Sequence, residues 1–149
     1  MKVIHWIILG MVIALTTLFI YRTRENQPRV DNTIDMNWRF TMGDPSGAYK
    51  PGYNDSDWRF LSVPHDWMIE QAVDKDNPSG TAGGFYSGGI GWYRKSIDLS
   101  EFENKEQFYL LFEGVMMNAD IYFNGTHLGK QVYGYSSFYH DISELVRLD

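Results

Sequence analysis

The chain contains no cysteine. That absence excludes a disulfide framework, a thiolate metal site, a cysteine nucleophile and a lipidated-cysteine anchor. A basic face is lacking as well. Of 13 basic and 19 acidic residues, Lys2, Arg22, Arg24, Arg29 and Glu25 fall within residues 1–30, so residues 31–149 carry 9 basic against 18 acidic side chains. Binding to nucleic acid needs cationic groups that displace counterions from phosphates, so nucleic acid is not expected as a partner. No period of about 20 to 50 residues recurs, which excludes a solenoid or a propeller. The four histidines, His5, His65, His127 and His140, show no metal-ligand spacing such as HExxH. There is no G-x-S-x-G elbow, and the glycine-rich stretch 80–91 lacks the Lys and helix of a phosphate loop. Neither a metal nor another cofactor is expected.

What is present is aromatic and glycine-punctuated: ten Tyr, nine Phe, five Trp and 14 Gly. This suits many short strands joined by turns. From Val3 to Tyr21 the sequence runs nineteen residues without Asp, Glu, Lys or Arg, enough to cross a hydrocarbon core of about 30 Å. Three readings stand. The run is a cleaved signal, with Ala14-Leu15-Thr16 as a near match to a cleavage site; an uncleaved anchor; or a core helix. Charges flank it on both sides, so they do not set its orientation. Residues 22–36 are polar, include Pro28 and read as a linker. The remaining 37–149 has room for one domain of about 110 to 120 residues.

Asn37 to Met42 alternates large apolar with polar side chains, as a strand with one buried face requires. Extended segments are expected again at Trp58–Val63, Trp92–Leu99, Phe108–Phe112 and Ala119–Phe123. Asn124-Gly125 directly follows the last of these and supplies the two positive φ angles of a type I′ hairpin. Asp141-Ile142-Ser143-Glu144-Leu145 reads as a short turn of helix capped by Asp141. The pattern as a whole fits an all-β sandwich of jelly-roll type, preceded by an N-terminal hydrophobic helix.

Between Pro64 and Gly91 lies a long irregular segment, and loops of that length in compact domains are usually functional or disordered. Its aromatics, Trp67, Phe85 and Tyr86, with Trp92 and Tyr93 beside it, favour a loop that packs on itself or caps one end of the sandwich. A glycosidase needs two carboxyl groups held about 5 to 10 Å apart. Asp66 and Glu70 are the nearest acids here, but Pro64 and the Trp67-Met68-Ile69 run do not favour the helix that would put them on one face. They read as solvated loop acids.

Several segments occur together and in order: Val63-Pro64-His65-Asp66-Trp67; the stretch from Gly84 to Lys95, GFYSGGIGWYRK; Phe112-Glu113-Gly114-Val115; Ala119 to Gly125; Leu128-Gly129; and Tyr133 to Phe138. Over about residues 37–147 they resemble the N-terminal sugar-binding domain of glycoside hydrolase family 2, most of all its bacterial β-galactosidase branch. The PHDW and GGIGWYRK segments in this order are its specific part. Met116-Met117 departs mildly, since relatives often carry an aromatic residue and Met there.

The resemblance implies a jelly-roll sandwich followed by an immunoglobulin-like domain and a TIM barrel whose two glutamates hydrolyse a terminal β-galactoside with retention. Neither later domain fits in 149 residues, so the chain is expected to be C-terminally truncated and inactive alone. It also implies that one loop reaches the sugar pocket, with Asp66 accepting sugar hydroxyl bonds, Trp67 packing on the pocket wall and His65 beside them. The competing structural reading has His65 and Asp66 fixing the loop and Trp67 in the core. Three further alternatives are the same domain of a β-glucuronidase or β-mannosidase, a free carbohydrate-binding module with Trp67, Tyr86 and Trp92 as an exposed stacking platform, and a purely structural β-sandwich module with no sugar contact. The expected partners are a carbohydrate and the missing domains, and an exported location follows from a sugar substrate.

Overall fold

The computed structural model describes residues 10–18 and 28–147, which belong to two compact units, Met1–Thr33 and Ile34–Asp149. In the first, residues 10–18 are helical and exposed. The rest of the apolar run 3–21, and residues 22–27 of the expected linker, lie outside the described residues. No helix among the described residues is long and apolar enough to cross a membrane.

The second unit is built of strands and short 3₁₀ turns. The alternating segment forms β1 (Trp38–Met42), which lies between β2 (Arg59–Leu61) and β3 (Gly91–Arg94) in an antiparallel sheet ordered β2-β1-β3. Two further antiparallel pairs follow, β4 (Tyr109–Phe112) with β7 (Phe138–Asp141), and β5 (Ala119–Phe123) with β6 (Thr126–Gln131).

The β5–β6 hairpin forms where Asn-Gly requires it. Asn124 and Gly125 take φ of 47° and 84°, and Phe123 faces Thr126 across the turn. Asp141 ends β7, and its carboxylate accepts hydrogen bonds from the Ser143 N–H (3.0 Å) and hydroxyl (2.6 Å), opening the short 3₁₀ turn Ser143–Leu145, whose cap position is Ile142. Those two bonds hold the Asp141 carboxyl below the ordinary carboxylate value.

Residues directly opposite each other in an antiparallel ladder project from the same face. The pairing Phe40↔Arg59 and Phe40↔Tyr93 therefore gathers Arg59, Phe40 and Tyr93 on one face of the three-stranded sheet. The pairing Arg39↔Phe60 and Arg39↔Arg94 gathers Phe60, Arg39 and Arg94 on the other. Phe40 is the centre of the first face and is 3% exposed.

On the second face the Asp55 carboxylate accepts from Arg94 Nε (3.0 Å) and pairs ionically with Arg39 Nε (3.5 Å), while the Asp55 carbonyl accepts from the Arg39 guanidinium (2.8 Å). The Arg94 guanidinium also donates to the carbonyls of Ala48, Lys50 and Pro51. One fork thus closes the loop that buries Ala48 and Trp58, which with Phe40 and Ile142 make up the buried apolar set among the described residues. Lysine keeps the charge but has no planar fork. Arg94→Lys is accordingly expected to lose about 2 kcal/mol of folding stability, the worth of one or two charged hydrogen bonds. Urea unfolding would measure it, and a change under about 0.5 kcal/mol, the scatter of ordinary surface substitutions, would show that the fork does not hold this loop.

Where the ladders depart from expectation, a local cause is visible. The segment Trp92–Leu99 pairs only as far as Arg94, opposite Arg39, because Asn37 turns to φ 60° just before β1 begins. Trp58 belongs to the turn before β2, its N–H bonded to the Asp55 carbonyl at 3.0 Å.

Candidate functional site

Residues 64–91 form an ordered loop. Val73 and Tyr86 make an isolated antiparallel bridge, and the Phe85 carbonyl accepts from the Asp74 N–H (3.1 Å) and the Asn77 amide (2.7 Å). The Ser79 hydroxyl donates to the Tyr86 carbonyl (2.6 Å), and the Gln71 amide to the Gly88 carbonyl (3.3 Å). A loop whose backbone polar groups are bonded within itself needs no sheet to hold its shape.

His65 stands over Phe40 on the first face of the sheet, with ring centroids 5.2 Å apart and edge to face. Its Nδ1 is 2.7 Å from the Tyr93 hydroxyl, and its Nε2 is 3.0 Å from Glu70 Oε1 and 3.2 Å from an Arg59 guanidinium nitrogen. Arg59 in turn donates to Glu70 Oε2 and lies over the Phe40 ring at 4.8 Å. Arg59, and after it His65, hold the Glu70 carboxyl below its ordinary value, with desolvation opposing them. Burial, and then the negative charges of Asp66 and Glu70, push the Tyr93 phenol up to about 12. This cluster borders a shallow cleft of about 310 Å³ lined by Phe40, Thr41, Met42, Asp57, Arg59 and Glu70.

Asp66 is exposed. Its Oδ1 accepts the Met68 N–H at 2.9 Å, at the start of the 3₁₀ turn Met68–Glu70. Trp67 is half-buried against the backbone of β3. A Cβ added at Gly91 would lie 3.0 Å from both the indole Nε1 and the Phe40 ring, so the close approach of Trp67 to the strand requires glycine there.

The three sequence candidates thus take different positions in one turn. His65 and Trp67 are packed toward the sheet, and Asp66 faces solvent between them. The residues that hold them, Arg59, Glu70 and Tyr93, were not singled out from the sequence as a group. Arg59 and Tyr93 are 34 positions apart, and only the register of β2 and β3 on β1 brings them to one face.

Glu70 is committed to Arg59 and His65 and kept ionised, whereas a glycosidase acid needs a raised pKa and a proton to give. Glu70 therefore does not suit the acid's role. What the cluster offers is a fixed, exposed carboxylate able to accept hydrogen bonds. Trp67, Tyr86 and Trp92, which a free binding module would present as an exposed stacking platform, are each half-buried instead. Trp67 rests on Gly91, Tyr86 lies against Gly84, and Trp92 stacks on Tyr122 at 5.8 Å while donating to Asp44.

No protein-family model matches the chain. Individual relatives do. A β-galactosidase of Bacteroides ovatus is 43% identical over 122 residues, 82% of this chain and 14% of that protein. A putative β-glucuronidase of Formosa agariphila is 41% identical over 129 residues, 87% of this chain and 12% of that protein. Among solved structures, a glycosyl hydrolase family 2 member from Bacteroides cellulosilyticus superposes with a TM-score of 0.69 at 40% identity, over 78% of this chain and 16% of that one. The chain thus spans 12 to 16% of the length of these relatives. Likeness in sequence and likeness in fold coincide over the unit that holds the His65–Trp67 turn, and on both grounds the chain belongs to glycoside hydrolase family 2.

Proposed function

We propose that this chain is the N-terminal, sugar-facing domain of an exported enzyme that hydrolyses terminal β-galactosides with retention. On this reading it folds as a jelly-roll sandwich and acts beside a catalytic barrel that it does not itself contain. The observation that carries the reading is the 43% identity to the B. ovatus β-galactosidase over four-fifths of the chain. The substrate-facing residues are Asp66, as hydroxyl acceptor, and Trp67, as pocket wall, with His65 holding the turn. The uncharged nineteen-residue run 3–21 supports export as a signal or an anchor.

A second reading, the same domain of a β-glucuronidase, is favoured by the 41% identity to the F. agariphila protein. Charge argues for the neutral sugar. The loop 64–91 carries Asp66, Glu70, Asp74 and Asp76 against Lys75, and Arg59 is already neutralised by Glu70. A uronate carboxylate approaching this loop meets net repulsion, because four carboxylates outnumber its one cation, Lys75.

The test is hydrolysis of chromogenic β-galactoside and β-glucuronide by this chain and by the complete enzyme. The chain alone is expected to release no product. The complete enzyme is expected to favour the galactoside in kcat/KM by about 100-fold or more, the discrimination expected when one substrate leaves a charge unpaired in the site. A preference for the glucuronide would overturn the galactoside assignment, turnover by the chain alone would overturn the division of labour, and recovery of the enzyme in the cytoplasmic fraction would overturn export.

A further inference from the structure

The His65–Glu70 contact closes a turn on the residue proposed to meet the sugar. Across residues 65–70 the side chains of the first and last members touch, the Glu70 N–H reaches the Trp67 carbonyl at 3.3 Å, and Asp66 Oδ1 accepts the Met68 N–H from within. The chemistry at His65 Nε2 is asymmetric. A carboxylate only accepts hydrogen bonds and a guanidinium only donates them, yet one of each lies within 3.2 Å of this nitrogen.

With Glu70 present one arrangement satisfies every partner. Arg59 donates to Glu70 Oε2, His65 Nε2–H donates to Oε1, and the lone pair on Nδ1 accepts the Tyr93 hydroxyl proton. Tyr93 keeps that proton, as its raised pKa accords with. Without Glu70, the freed Arg59 N–H groups turn to Nε2 and make it the acceptor. The imidazole proton then moves to Nδ1, the Tyr93 bond reverses and nothing joins residue 70 to residue 65.

We propose that Glu70 is a positioning residue: its carboxylate sets the His65 tautomer and clasps residues 65–70, so that the exposed Asp66 carboxylate meets the sugar in one orientation. The inference rests on the reading of Asp66 as a sugar contact. It assigns Glu70 no contact with substrate, and it gives Arg59 and Tyr93 the work of holding the clasp to the sheet.

The test pairs Glu70→Ala with Glu70→Gln, which keeps an acceptor oxygen opposite Nε2. In this chain, ¹⁵N–¹H correlation of the His65 ring is expected to show the Nε2–H form in the wild type and in Glu70→Gln, and the Nδ1–H form in Glu70→Ala. In the complete enzyme, Glu70→Ala is expected to raise KM for a β-galactoside about tenfold with kcat within about twofold, the pattern of lost uniform binding. Glu70→Gln is expected to bring KM back to within about threefold, since it keeps a neutral hydrogen bond in place of a charged one.

A Glu70 that serves stability alone would lower the active fraction, and with it apparent kcat, at unchanged KM; that result overturns the proposal. A His65 spectrum indifferent to Glu70→Ala overturns the clasp. Should Asp66→Ala leave the kinetics untouched while the tautomer still flips, the sugar-contact reading fails and the clasp stands as a purely structural device.

Discussion

Replacing Phe40 by alanine is expected to cost about 3 to 5 kcal/mol of folding stability, the range for removing a buried phenylalanine. The ring is 3% exposed and is enclosed on every side that the sheet offers. Tyr93 lies 4.8 Å away on β3, His65 stands edge-on above it, and the Arg59 guanidinium covers it from β2. Deleting it removes the transfer free energy of the ring and leaves a hole that these neighbours fill only in part, since β1 fixes the backbone beneath it. With only four apolar residues buried among those described, little other core exists to offset the loss. Domains are stable by only about 5 to 15 kcal/mol in all.

Phe40→Leu retains most of the volume and is expected to cost about 1 kcal/mol, as near-isosteric core exchanges do. Urea midpoints at constant slope report both values. An alanine variant within about 1 kcal/mol of the wild type would show that the sheet face is held by something other than this ring. Because His65 packs on the same ring, Phe40→Ala and His65→Ala are expected to be non-additive by about 0.5 kcal/mol or more, whereas pairs at distant sites add. The core residue and the functional turn share one packing unit.

That sharing explains which parts of the molecule the sequence reveals. Local rules are visible in it. Asn124-Gly125 sets its own hairpin, the alternation from Trp38 to Met42 sets β1, and an Asp two residues before Ser143 opens the last turn. The strand Phe138–Asp141 went unread for the opposite reason. Phe-Tyr-His-Asp carries no clean alternation, and its pairing with β4 links positions about 30 apart. The candidate turn divides in the same way. His65, Asp66 and Trp67 are contiguous and draw attention together, while Arg59 and Tyr93 join them only through two strand registers. Glu70 is visible in the sequence as the loop acid nearest Asp66, but its partner Arg59 is a residue of β2 whose facing depends on its register opposite Phe40.

Asp66→Ala in the complete enzyme is expected to lower kcat/KM for a β-galactoside about 100-fold, or about 2.7 kcal/mol, within the range for a charged hydrogen bond to substrate. Of the two carboxylate oxygens, Oδ1 is committed to the Met68 N–H and the residue is otherwise exposed. The Oδ2 side is thus free to accept a sugar hydroxyl without disturbing the turn. The clasp from Glu70 to His65 fixes where that oxygen points, so the cost of orienting it falls on folding and not on binding. Asp66→Asn keeps an oxygen for Met68 and a polar group for the sugar but gives up the charge. It is expected to lose about tenfold, since neutral hydrogen bonds are worth about half as much as charged ones. Stability separates this role from a structural one. Losing the hydrogen bond to the Met68 N–H costs about 1 kcal/mol, so the alanine variant should stay folded at room temperature while its catalytic efficiency falls. If activity and stability fell together, and Asp66→Asn restored both, Asp66 would be a support of the turn and not a sugar contact.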